Sequence, residues 1–115
     1  MSLITLDEAK SYLRVDSGMD DELILSLLAS AEKLSCDVAR MNANEWKRAC
    51  GDKPGTMMLR GERLSHAEKD MLRSLLRSAV LYALGYLYEH REDADHHELV
   101  LTLRNILSSV REGVV

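Results

Sequence analysis

The chain has 115 residues, 46% apolar and 30% charged, which fits one domain spanning residues 1–115 with enough apolar surface to fold without a metal or a disulfide. That balance excludes a wholly disordered polypeptide. The formal net charge of −4 lacks the basic surplus with which dedicated duplex-DNA binders neutralise phosphate.

Phe is absent and Trp and Pro occur once each, an aliphatic bias that suits packed helices better than a sheet. Met1-Ser2-Leu3 carries no signal. Thr5-Leu6-Asp7-Glu8 has the pattern of a capping box, in which the Thr hydroxyl and the Glu carboxylate satisfy backbone N–H groups at a helix start. It predicts a short helix over 6–14, with Leu6, Ala9 and Leu13 on one face and Tyr12 beside them. Val15-Asp16-Ser17-Gly18 ends it, Gly18 supplying the permissive turn. Asp20 and Asp21 open a second helix, where acidic residues favour the dipole. Its apolar positions, from Ile24, Leu27 and Leu28 through Ala31, Leu34 and Val38 to Met41, step by three and four along one stripe of about five turns.

Residues 42–64 do not declare themselves. Asn44–Cys50 has the composition for one or two helical turns, Gly51–Gly55 is a turn cluster, and Thr56–Leu64 reads as loop or one short extended piece. Ser65-His66-Ala67-Glu68 is a second capping box, predicting a long helix to about Arg91. Its apolar face includes Leu72, Leu76, Ala79, Val80, Ala83, Leu84 and Leu87, while Leu81, Tyr82, Tyr86 and Tyr88 carry apolar surface to other sides. A helix apolar around much of its circumference is either central in a fold or shared with a partner. Asp93 or Asp95 caps a last helix bearing Leu99, Val100, Leu103, Ile106, Leu107 and Val110, and the tail after Arg111 is short. The expected fold is all-α: a bundle of four helices, short, long, long and medium, with an irregular loop between the two long ones.

Chemistry is sparse. No phosphate-cradling glycine motif and no nucleophile elbow occurs. Asp20-Asp21 and Glu92-Asp93 are sequence neighbours and point about 100° apart on a helix, so they read as caps and solvated surface rather than convergent carboxylates. His90, His96 and His97 lie in an acidic segment, yet adjacent histidines do not share one ligand face and the HExxH spacing is missing. No metal, cofactor or catalytic residue is expected. Cys36 and Cys50 match no zinc or redox spacing and read as free thiols of a reducing compartment. There is no signal-peptide pattern and no apolar run near the ~20 residues of a membrane span, so a soluble cytoplasmic chain is expected. Trp46 reads as a packing anchor. Met57-Met58-Leu59 is either tucked under the fold or kept for a partner.

Three blocks carry a resemblance. Ile4-Thr5-Leu6-Asp7-Glu8-Ala9-Lys10-Ser11-Tyr12-Leu13-Arg14-Val15-Asp16, followed by Asp20-Asp21-Glu22-Leu23-Ile24, resembles the opening helix and second-helix start of phage head–tail connector proteins. Ala79-Val80-Leu81 through Leu87-Tyr88-Glu89-His90-Arg91-Glu92 resembles that family's third helix. Leu107-Ser108-Ser109-Val110-Arg111 resembles its closing block. The order is preserved over nearly the whole chain; only residues 42–64 align with nothing in the family pattern. The resemblance implies a non-enzymatic structural subunit that forms a ring of about a dozen copies. Such a ring docks under the portal protein, offers a surface to the tail-completion (stopper) protein and lets DNA pass without reading it. Its place is the host cytoplasm during assembly and then the head–tail junction of the virion.

On that reading Tyr82, Tyr86 and Tyr88 are candidates for the subunit interface, because tyrosine is enriched at interfaces; packing within the chain is the alternative. Lys53, Arg60 and Arg63 are candidates for a loop facing the DNA channel, against ordinary exposed charge. The competing function is a small helical DNA-binding transcriptional regulator. It suffers from Asp20, Asp21 and Glu22 at the start of helix two, which repel phosphate where a recognition helix attracts it.

Overall fold

The computed structural model describes residues 3–51, 55–92 and 96–111. The first helix, α1 (Leu6–Leu13), begins as the capping box predicts: the Thr5 hydroxyl accepts from the Glu8 amide at 3.1 Å and the Glu8 carboxylate accepts from the Thr5 amide at 3.2 Å. Its end differs from expectation. Arg14, not Gly18, takes the left-handed conformation (φ 60°), and the Val15 amide closes back onto the Lys10 carbonyl at 2.9 Å. The closing residue must directly follow the last helical turn, and Gly18 stands four positions too late. Helix α2 (Asp21–Ala39) ends the same way, on Arg40 at φ 58°. Asp20 precedes α2 without a side-chain cap bond. Its carboxylate instead accepts from the Tyr88 hydroxyl at 3.2 Å.

Among its described residues the stretch expected to be an irregular loop is largely regular, and the helical turns read over Asn44–Cys50 are present. Helix α3 (Ala43–Cys50) starts on a third capping box, Asn42 with Glu45, its two bonds 2.8 and 2.9 Å long. Strands β1 (Met57–Leu59) and β2 (Glu62–Leu64) pair antiparallel, Met57 with Leu64, Met58 with Arg63 and Leu59 with Glu62. Arg60 (φ 49°) and Gly61 (φ 83°) make the turn; positive φ at both central residues is what a tight two-residue hairpin needs. Helix α4 (His66–Glu89) opens on the Ser65/Glu68 capping box. Helix α5 (His97–Ile106) and the one-turn α6 (Ser108–Arg111) close the chain. His96 immediately precedes α5; the expected caps Asp93 and Asp95 lie outside the described residues. The fold is mostly helical, as expected. The four-helix description is corrected by α3, the hairpin and α6.

Polar contacts at the helix ends give the directions. Asp20 meets Tyr88, so the start of α2 lies by the end of α4. At the other end Arg60 reaches the carbonyls of Ala39 and Arg40, each at 3.3 Å, and that of Val110, joining the hairpin turn to the end of α2 and to α6. Hence α2 runs antiparallel to α4. Glu8 pairs with Arg77, and Tyr12 lies over Gly85, so α1 runs parallel to α4. His96 lies against Tyr86 and Val110 near Ala39, so α5 returns beside α2.

The core sits where the apolar stripes predict it. Ile24, Leu28, Ala31 and Val38 of α2 are buried, as are Leu72, Leu76, Ala79, Val80, Ala83, Leu84 and Leu87 of α4 and Leu99 and Leu103 of α5. One contribution is invisible in the pattern. Leu3 and Ile4 are 1% and 0% exposed. The Leu3 amide donates to Glu32 at 3.2 Å, and its carbonyl accepts from Arg77 at 2.9 Å. A segment too short to show periodicity thus seals the side of the bundle through two charged partners.

Two consequences are measurable. Ser35 is fully buried in α2 and its hydroxyl has no hydrogen-bond partner. Such a group costs about 1–3 kcal/mol of desolvation, and Ala has the better helix propensity. Ser35→Ala is therefore expected to raise stability in urea unfolding by about 1 kcal/mol. Second, the hydrogen bond from Arg77, then that from the Thr5 amide, holds the Glu8 carboxyl below its ordinary 4.5. A depressed carboxyl stabilises the fold fully above its unfolded value and loses that contribution as pH falls through the folded value. Urea midpoints of wild type and Glu8→Gln should therefore differ most near neutrality and converge toward pH 2.

Candidate interaction groove

All four tyrosines of the chain gather at one end of the bundle. Tyr12, Leu13 and Arg14 at the end of α1 form one wall of an open groove of about 680 Å³; Tyr82, Gly85, Tyr86 and Glu89 of α4 form the other, with Tyr88, His90 and Glu98 completing it. Positions 82, 85, 86 and 89 are spaced by three and four and so share one helical face. Gly85 is what brings the walls together: a Cβ there would stand 3.1 Å from Cε2 of Tyr12.

The tyrosines are not equivalent. Tyr12 and Tyr82 are 48% and 38% exposed. Tyr86 is half-buried and stacked on His90, ring centroids 4.2 Å apart at 17°, with His96 edge-on at 6.1 Å. His90 Nδ1 lies 2.9 Å from the Tyr86 carbonyl; a carbonyl only accepts, so Nδ1 carries the hydrogen. Tyr88 is half-buried, bonded to Asp20, and has the Arg91 guanidinium 4.9 Å above its ring. Tyr82 thus presents an open face, whereas Tyr86 and Tyr88 serve the groove from positions held by the chain itself. Tyr12 escaped the sequence-based selection. The available signal was Gly85, an isolated glycine inside a strong helical pattern, which marks close approach by another element.

The basic loop does not converge. Lys53 lies outside the described residues. Arg60 turns its guanidinium onto three main-chain carbonyls, and its own amide donates to Glu45 at 2.6 Å. Arg63 is exposed on the outer face of the hairpin, opposite Met58, which is 51% exposed. Met57 and Leu59 are buried beneath. Strand alternation therefore divides the Met57-Met58-Leu59 triplet, tucking Met57 and Leu59 under the fold and leaving Met58 exposed. Trp46 is partly buried against the core.

Burial pushes the Cys50 thiol up to about 12, and Cys36, also raised by desolvation, donates to the Met41 carbonyl at 3.2 Å. Both are free and remain protonated near neutrality, a state without nucleophilic character. Among the described residues no group of three or more His, Cys, Asp or Glu is placed to hold a metal, and no helix is long and apolar enough to cross a membrane.

A small helical bundle whose capping boxes and interhelical ion pairs fix its ends, and which leaves an aromatic groove open, has the form of a small structural subunit. The chain belongs to the phage gp6-like head-tail connector protein family, whose pattern matches residues 3–112 and so takes in the segment 42–64 that motif comparison left unaligned. This is a family of structural proteins of bacteriophage virion assembly, at the head–tail junction. No curated protein and no solved structure matches the chain.

Gly85→Ala separates the stability of α4 from the shape of the groove. The added methyl meets the far end of a half-exposed side chain, which yields easily. Replacing glycine in a helix interior gains about 0.5–1 kcal/mol. The expected result in urea unfolding is a stability equal to or above wild type, with Tyr12 displaced and its emission changed.

Proposed function

We propose that the chain is the repeating subunit of a ring at the head–tail junction, docked on the portal protein, offering its other face to the tail-completion protein and leaving a central hole through which DNA passes. The match of residues 3–112 to the connector family carries this reading. The open tyrosine groove supports it, because a closed ring needs one patch on each subunit that receives a different patch of the next. Tyr82, with Tyr86 and Tyr88 behind it and Tyr12 opposite, is the proposed centre of that patch. No chemical step is assigned to the subunit. Assembly takes place in the host cytoplasm, where unpaired thiols persist.

A DNA-lining role for the basic loop rests on Lys53 and Arg63, since Arg60 is committed to the fold. The regulator alternative gains no support from the structure. The turn considered for it, between α1 and α2, leads into Asp21 and Glu22 at the start of α2.

Light scattering and negative-stain microscopy test the proposal. The expected outcome is rings or ring-sized species that grow with concentration or on addition of the portal protein. A chain that stays monomeric throughout and does not bind the portal overturns it. Tyr82→Ala should weaken assembly by about tenfold or more, while leaving the thermal midpoint within about 2 °C of wild type, because the ring is exposed in the monomer.

A further inference from the structure

The groove and the hairpin stand at opposite ends of the antiparallel α2–α4 pair, and their surfaces differ in kind. At the groove end Asp16, Asp20, Glu22, Glu89, Glu92 and Glu98 outnumber Arg14 and Arg91, while the Asp21 carboxylate is paired with Lys10 at 2.9 Å. At the hairpin end exposed Arg40, Lys47 and Arg63 are matched by exposed Glu62, Glu68 and Asp70, so the contrast lies in the outer face of the hairpin rather than in the charge of the whole end. Arg63 lies directly across from exposed Met58 on the outer face of the two-stranded sheet. The hairpin thus presents a thioether beside a guanidinium, whereas the groove presents tyrosine rings beside carboxylates. Both halves of that match are favourable. Sulfur packs well at aromatic ring edges, and a guanidinium is drawn to a tyrosine face and to a carboxylate. The chain already shows the second pairing within itself, in Arg91 over Tyr88.

We infer that the occupant of the tyrosine groove is the hairpin of the neighbouring copy, with Met58 against Tyr12 and Tyr82 and Arg63 directed at Glu89 and Glu98. The inference rests on the ring reading above and names the partner of its interface. The hairpin of one subunit cannot fill its own groove. The two are separated by most of α4, 24 residues long, or about 36 Å at 1.5 Å per residue. The contact is therefore head-to-tail between successive copies, and Arg63 belongs to the seam between subunits rather than to the DNA channel.

Charge reversal tests it. Both positions are exposed, and Arg at position 89 suits the end of a helix, so Arg63→Glu and Glu89→Arg should keep wild-type circular dichroism and thermal midpoint. Each single reversal is expected to weaken self-association at low salt by about tenfold or more. The double variant Arg63→Glu/Glu89→Arg should recover it to within about threefold. Wild-type association should also weaken as salt is raised. Assembly unaffected by either reversal, or a double variant no better than the singles, overturns the contact and leaves the ring reading standing. A wild-type species that stops at two copies overturns the head-to-tail arrangement. A wild type that never assembles, with or without the portal protein, removes the ring reading and the contact together.

Discussion

The antiparallel seam between α2 and α4 carries the molecule. Ile24, Leu28, Ala31 and Val38 on one side and Leu72, Leu76, Ala79, Val80, Ala83 and Leu84 on the other are buried almost completely. Each large aliphatic side chain so removed from water contributes about 1.5–3 kcal/mol. Small residues recur within the seam, Ala31 and Ser35 on α2 and Ala79 and Ala83 on α4. They let two long helices approach closely, and close approach makes a bundle of this size stiff enough to hold a surface feature at each end. With the seam formed, the separation of groove and hairpin is a matter of helix length.

Charged side chains tie α1, α3 and the hairpin to the seam, some through main-chain groups and some through ion pairs. Arg77 accommodates both the Leu3 carbonyl and the Glu8 carboxylate, Glu32 takes the Leu3 amide, and Lys10 reaches Asp21. These contacts fix α1, whose only fully buried residue is Ala9, in register with α4, and that register puts Tyr12 over Gly85. Arg60 does the same at the other end, joining the hairpin turn to the ends of α2 and α6. Arg73 ties α3 to α4 through the Cys50 carbonyl at 2.6 Å. Four of the fifteen basic residues, Lys10, Arg60, Arg73 and Arg77, are thereby committed to ties between elements. That is why net charge and clusters of Arg in the sequence are poor guides to the surface this protein presents.

Two of the three capping boxes were legible because Thr5 with Glu8 and Ser65 with Glu68 stand just before apolar runs. The third, Asn42 with Glu45, precedes a short helix with few apolar positions, and no run of periodicity drew attention to it. The hairpin was harder still. Its strands have three residues each, too few for alternation to register, and its turn is Arg60-Gly61 rather than Asn-Gly or Asp-Gly, the usual sign of a tight hairpin. Arg60 adopts φ 49° at a cost of about 1 kcal/mol. Its amide and guanidinium are both bonded there, to Glu45 and to the helix-end carbonyls, and this tertiary context holds it.

Residue order alone settled the periodic parts: the long helices, their buried faces, two of their starts, and the membership that those blocks announce in sequence. These properties follow from spacing along a helix, which is local and repeats every turn. Tertiary structure decided which tyrosines share a groove, that Leu3 and Ile4 are core, that Arg60 braces the fold while Arg63 faces solvent, and that Met58 is separated from its two neighbours. Each of those outcomes depends on which elements lie side by side. No spacing within one element encodes that, because it is set by the packing of helices and a hairpin distant in the chain.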